Sequence, residues 1–207
     1  MKAFPIAWVT SGRKLLIIGG GPETEVRLTH ALLFDWAKIR LIVARVPDIL
    51  RGRADARVEF IERAATEADV AEADLVLEDS GSRETAENVR AWCDRHHVPL
   101  NATDKPDLCD FYYMSLLLRD PLVIGIASGG DAPAVSAALR KVLNEKVGPG
   151  WSAAAALLAG VRESLPGGQA RIDLLRKIAR HEDFVGHIEK NDMAALQRLV
   201  EHELRSL

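Results

Sequence analysis

The chain reads as an α/β fold, a parallel sheet flanked by helices, followed by an all-helical C-terminal stretch. Three observations predict it. Short apolar runs alternate with helical patterns across residues 1–113. The first run, Lys14 to Ile18, stops abruptly at Gly19-Gly20-Gly21. After Gly148-Pro149-Gly150 the strand-like runs disappear and only helical spacing remains.

Lys14 to Ile18 is the first strand, and the helix after the glycines offers Val26, Leu28, Ala31, Leu32 and Phe34 as candidate buried positions. Further strands are expected at Ile39 to Ala44, Val58 to Ile61 and Asp74 to Leu77. Thr85 to His96 has helical spacing, and Val98 to Ala102 is the fifth strand. Such short strands between helices indicate a parallel sheet covered on both faces. Leu122 to Ala127 is one more apolar run, broken by Ser128-Gly129-Gly130, and Pro133 to Val147 is a helix. The tail predicts helices over Trp151 to Ser164, Gln169 to Ala179 and Asp192 to Arg205, helped by the alanine run at 153–156. The boundaries fall at 1–113, 114–147 and 148–207.

Composition narrows the function classes. The 207 residues are 48% hydrophobic with a net charge of -3, so no global basic footprint for nucleic acid exists. The two cysteines, Cys93 and Cys109, lack metal-ligand spacing and suit a reducing cytoplasm. No apolar run reaches the ~18 residues that span a membrane. The start, Met1 to Ile6, lacks the apolar core of a signal peptide. A cytoplasmic protein with neither nucleic acid nor membrane as partner is expected.

Gly19-Gly20-Gly21 sits between a strand and a helix, where the backbone must turn tightly and approach a diphosphate at the helix N-terminus. The motif is G-x-G-x-x-T, with Thr24 where Gly or Ala usually lets the helix pack on the strand. Pro22 suits a helix first turn. Glu23 and Glu25 complement the helix dipole but compete with a bound diphosphate. The acidic ribose reader expected about 20 residues later is missing. The second strand ends instead at Val43-Ala44-Arg45, where Arg45 is either a surface cation or a reader of a 2′-phosphate, hence of NADP.

The stretch from Asn101 to Tyr113 closes the fifth strand and places Asp104 at its carboxyl end, the side on which such sheets bind ligands. A second loop, Ala127 to Pro133, offers Ser128, Gly129 and Gly130 as hydrogen-bonding groups for an anionic ligand.

These motifs form an ordered set. The strand–Gly-Gly-Gly start, Asn-x-x-Asp-x-Pro at 101–106, Ser-Gly-Gly-x-x-Pro at 128–133 and the helical tail together resemble the precorrin-2 dehydrogenase/ferrochelatase module of siroheme synthases. The resemblance covers nearly the whole chain. It implies a Rossmann-type domain, a dimerisation region at 114–147 and a small C-terminal helical domain, assembled as a homodimer. It implies oxidation of precorrin-2 to sirohydrochlorin with NAD, and in many members insertion of Fe2+ to give siroheme. The uroporphyrinogen methyltransferase domain fused to some bacterial relatives is not expected here. By resemblance the key acid–base residue falls on Asp104, and Asn101, Ser128, Gly129 and Gly130 line the tetrapyrrole pocket. Cofactor contacts fall on Gly19, Gly21, Pro22, Glu23, Val43 and Ala44. No permanent metal cluster is implied, because iron is handled as a substrate.

The departures gather on the cofactor side. Glu78 and Asp79 stand where the family usually has small neutral residues, in the wall beside the dinucleotide. A carboxylate ~4 Å from a phosphate costs about 1 kcal/mol in water-like surroundings and about 4 at a moderate dielectric. Two alternatives therefore accompany an active dehydrogenase. One is a chelatase or tetrapyrrole-binding protein with a degraded NAD site; the other is a nucleotide-binding regulatory module without chemistry.

The remaining residues have plainer readings. His96-His97 diverge by about 100° on a helix and read as a helix end rather than a metal pair. Cys109 reads as a buried inert thiol, and Phe111-Tyr112-Tyr113 as packing residues or stacking partners for a tetrapyrrole. Trp151 is expected to anchor the helical domain. Lys105, Arg119, Arg140 and Lys141 are candidates for a basic ring around a polyacidic substrate, against a solvated-face reading for each. Leu122 to Val147 has no obvious partner within the chain and is expected to pair across a two-fold axis.

Overall fold

The structure is a computed structural model that describes residues 3–52, 55–129 and 132–205. The chain divides into two compact units, Met1–Tyr113 and Met114–Leu207.

The first unit runs β1 (Lys14–Ile18), α1 (Thr24–Ala31), β2 (Lys38–Val43), α2 (Asp48–Arg51), β3 (Val58–Glu62), α3 (Glu67–Ala71), β4 (Leu75–Glu78), α4 (Arg83–His96) and β5 (Leu100–Ala102). The five strands form one sheet in the order β3-β2-β1-β4-β5, and every pairing is parallel. Strand alternation divides the core in two. Leu15 and Ile17 point to one face, against Leu28 and Ala31 of α1 and Leu50 of α2. Leu16 and Ile18 point to the other, against Val70 of α3 and Ala86, Val89 and Cys93 of α4. Central strands buried on both faces explain why they read as continuous apolar runs. The strand order reverses between β1 and β4, which opens a crevice at the carboxyl ends of those strands.

Two expectations change within this unit. Val26 is 42% exposed, and the buried stripe of α1 is Thr24, Arg27, Leu28 and Ala31. That stripe has the i, i+3, i+4, i+7 spacing of a helix face, with polar residues at half its positions. The fifth strand begins only at Leu100, because His97 leaves α4 in the left-handed conformation (φ 54°) and Val98 N–H returns to the Cys93 carbonyl at 3.0 Å.

The second unit starts with a hairpin, β6 (Ser115–Arg119) against β7 (Leu122–Ile126), paired antiparallel. Its helices are α5 (Pro133–Lys146), α6 (Gly150–Ser164), α7 (Gln169–Ala179), α8 (Phe184–Glu189) and α9 (Met193–Leu204). Helices α6 to α9 enclose a core of Ala154, Val161, Leu174, Ile178, Phe184, Ile188, Leu196 and Val200, with Trp151 packed on it. The expectation that the run at 122 lacks a partner in its own chain is corrected: β6 supplies it, a strand hidden in the sequence by three consecutive leucines without alternation.

Candidate active site

The glycine loop is closed by its own hydrogen bonds. Gly19 N–H donates to the Ile42 carbonyl (2.8 Å), Gly20 N–H to Thr24 Oγ1 (3.0 Å) and Gly21 N–H to the Asp79 carbonyl (2.5 Å). Pro22 has no N–H to offer. A Cβ on Gly21 would lie 2.5 Å from the Asp79 carbonyl oxygen and 2.7 Å from its Oδ1, so only glycine fits there. Gly20 adopts φ 119° and faces open space. The amides of Glu23 and Val26 remain at the start of α1, where a helix leaves donors without internal partners.

Both anomalous acids at the end of β4 turn inward. Glu78 is fully buried; it accepts from Ser80 N–H (2.8 Å), from the Ser80 hydroxyl and from Lys105 Nζ (3.3 Å). Asp79 is 2% exposed and accepts from the Thr24 hydroxyl at 2.8 Å. Two of the departures expected from the resemblance, Thr24 and Asp79, are thus partners of each other. Thr24, in place of a small residue, holds Asp79, and Lys105 neutralises Glu78.

Asp104 contrasts with both. It follows β5 in a turn, its side chain exposed and its backbone left-handed (φ 58°). Aspartate is among the few residues that tolerate this conformation. Among the described residues no hydrogen bond or ion pair engages its carboxylate.

Arg27 ties the two ends of the crevice together. Its Nη2 donates to Thr103 Oγ1 (3.3 Å), and its guanidinium lies 3.8 Å above the Tyr113 ring. Burial pushes the Arg27 guanidinium below its ordinary range, opposed by Tyr113, Glu23 and Asp79. Burial likewise pushes the Tyr113 hydroxyl up, and its oxygen lies 3.0 Å from His30 Nδ1. Sequence reasoning passed over Arg27; the helical stripe it shares with Leu28 and Ala31 was the available signal.

Other candidates separate. Asn101 is 6% exposed, and its Nδ2 donates to the Phe111 carbonyl at 2.9 Å, so it braces the chain after β5 from inside. Cys109 Sγ accepts from Ala102 N–H (3.2 Å), and burial raises its thiol. Phe111 and Tyr113 pack on the core of the first unit. Val43 is buried at the end of β2, whereas Ala44 and Arg45 are exposed just beyond it. In the second unit, Ser128 Oγ accepts from Ala132 N–H (3.1 Å) and Gly129 has φ 71°. Gly130 lies outside the described residues. Arg119 is held by the Val147 carbonyl and Asn144, while Arg140 and Lys141 are exposed. His96 closes α4 with Nε2 3.1 Å from Glu67 Oε1. Among the described residues no group of three or more His, Cys, Asp or Glu could hold a metal, and no helix is long and apolar enough to cross a membrane.

The residues present fit a dinucleotide. Gly20 leaves room, the first turn of α1 follows the loop directly, and β1 and β4 flank the reversal of strand order. The chain is 28% identical over 165 residues to the siroheme synthase of Thioalkalivibrio sulfidiphilus, covering 78% of this chain and 33% of that protein. It is 27% identical over 148 residues to the siroheme biosynthesis protein met8 of Schizosaccharomyces pombe, covering 70% and 56%. The chain therefore spans about a third of the length of the siroheme synthase it matches. Among solved structures it shares the fold of SirC, a precorrin-2 dehydrogenase, with TM-score 0.74 at 13% identity over 98% of this chain and 100% of the other. Residues 6–115 match the family model described as "Putative NAD(P)-binding", and with more than half its length inside that model the chain belongs to this NAD(P)-binding family.

Proposed function

We propose that this chain oxidises precorrin-2 to sirohydrochlorin with NAD, and that Asp104 is its acid–base residue. One observation carries the reading. Of the three carboxylates at the ends of β4 and β5, Asp104 alone is exposed and unengaged by the described scaffold. The similarity to siroheme synthases and to the met8 protein names the substrate class.

When bound, the nicotinamide accepts a hydride from the macrocycle. The chain's own residues do the rest. The amides at the start of α1, at Glu23 and Val26, would hold the diphosphate, and the end of β2 at Val43 and Ala44 would hold the adenosine ribose. Arg45, exposed beside them, would bind a 2′-phosphate if the cofactor is NADP. Asp104 takes the proton released as the ring is oxidised, a role that needs a carboxylate within reach of bulk water or of the substrate. Its left-handed turn holds the side chain clear of the sheet. Ser128 and Gly129 are assigned to the substrate carboxylates. The same Asp104 could accept pyrrole protons if ferrous iron, as a substrate, is then inserted. Asn101 is reassigned from direct contact to positioning the segment after β5.

The homodimer is part of the proposal, on new grounds. Helix α5 leaves Val135, Leu139 and Val142 exposed at i, i+4 and i+7, an apolar stripe suited to a second copy. Residues 114–147 are the proposed dimerisation region. A Leu139→Asp variant should sediment as a monomer where the wild type sediments as a dimer. The free thiols Cys93 and Cys109 suit the reducing cytoplasm we assign to the protein.

Anaerobic incubation with precorrin-2 and NAD or NADP tests the activity. The sirohydrochlorin absorption spectrum should appear, and Fe2+ added afterwards should shift it if iron is inserted. A spectrum unchanged with both cofactors would overturn the reading.

A further inference from the structure

Every glycine amide of the phosphate loop is already bonded within the protein, and Asp79 lies against Gly21. Asp79 Oδ1 lies 2.7 Å from where a Cβ on Gly21 would be, and Asp79 Oδ2 accepts from Thr24, the first residue of α1. The backbone of the same residue takes the Gly21 N–H. A helix start favours an anion, and here one is built in. We infer that Asp79, locked by Thr24, is the residue that sets dinucleotide affinity in this chain, by holding a fixed negative charge against the loop that must receive a diphosphate. The inference rests on the NAD-binding reading above.

A buried carboxylate is screened weakly by salt and water. Arg27 offsets part of its charge, but the Arg27 fork is directed at Thr103 and the Tyr113 ring rather than at Asp79. A diphosphate placed on the outer face of Gly20 then meets the Asp79 charge through a single layer of backbone. Removing that charge should strengthen binding of NAD and leave the loop geometry standing, because an amide can accept the Thr24 hydrogen bond as a carboxylate does. Removing the Thr24 hydroxyl alone should not strengthen binding, because the charge stays.

Isothermal titration of purified protein with NAD separates these outcomes. Asp79→Asn should lower the Kd for NAD at least tenfold, and Asp79→Ala, a second neutral variant, should do the same. Thr24→Val should leave the Kd equal or higher. Thermal unfolding of each variant without ligand shows which are folded and admissible. If folded Asp79→Asn and Asp79→Ala bind NAD no more tightly than the wild type, the role of Asp79 is overturned while the cofactor reading stands. An equal gain in Thr24→Val would also overturn it, since loosening of the loop rather than charge would be responsible. Absence of NAD and NADP binding in all four proteins would overturn the cofactor reading and this inference with it.

Discussion

The ends of β4 and β5 are neighbours in one sheet and carry acids of opposite kind. At the end of β4, Glu78 and Asp79 are buried and bonded to Lys105, Ser80 and Thr24. Two residues past β5, Asp104 is exposed and unengaged by any described residue. A carboxylate that the scaffold satisfies shapes the site; one that it leaves open is available to a substrate. Position at a strand's carboxyl end therefore does not make acids equivalent: internal bonding closes Glu78 and Asp79 and leaves Asp104 open, which is the ground on which Asp104 is proposed as the acid–base residue.

The sharpest way to break this contrast is to remove the open acid. Asp104→Asn should lower precorrin-2 oxidation at least ~100-fold, the usual weight of a general acid–base group, with no change in unfolding midpoint. Wild-type turnover in this variant would strip Asp104 of its role.

The closed acids should behave the other way, with stability falling before chemistry does. Glu78→Gln leaves the Lys105 ammonium, 11% exposed at the side chain, without its charge partner. A loss of about 3 kcal/mol in urea unfolding is expected, as for other broken buried pairs.

Asp69 extends the comparison to an acid far from the crevice. It accepts from Arg63 (2.6 and 2.7 Å), from Arg40 (2.7 Å) and from Thr66 N–H and hydroxyl. The Arg63 hydrogen bonds, foremost, hold its carboxyl well below the usual range. Stability from a depressed carboxyl is complete above its unfolded pKa, about 4, and is lost as pH falls through the folded value. Asp69→Asn should therefore cost about 2 kcal/mol at pH 7. That gap should narrow steadily as urea unfolding is repeated below pH 4.

The smallest effect concerns the Asp104 backbone. Asp104→Ala places an alanine at φ 58° and should destabilise by up to about 1 kcal/mol, whereas Asp104→Gly should hold or slightly raise the unfolding midpoint. Equal midpoints for the two would show that the left-handed turn carries no strain.

The sheet was legible where burial on both faces makes a strand uniformly apolar, as at Leu15 to Ile18, or where glycine punctuates it, as at Gly19 to Gly21. Strand β6 escaped because Leu116 to Leu118 neither alternate nor end at a breaker. In α1, Val26 looked buried by its chemistry, yet Arg27 is the residue inside. The helical register, fixed by the glycine turn, places Arg27 on the sheet side, and the Tyr113 ring and Thr103 accept its charge and hydrogen bond. The Asp104 motif was legible as a strand-terminal acid. Its neighbour Asn101 was not legible as a brace, because side-chain amides serve ligands and scaffolds with the same groups.

Local patterning alone sets the strand–helix rhythm, the glycine turn and the placement of Asp104 at a strand's end, because these depend on periodicity and backbone permissiveness. Long-range packing turns Glu78 and Asp79 inward, brings Thr24 and Lys105 against them, and leaves Asp104 open. Those outcomes depend on residues 55 and 27 positions apart meeting across a crevice. No pattern within a single segment encodes whether a charge will find its partner there.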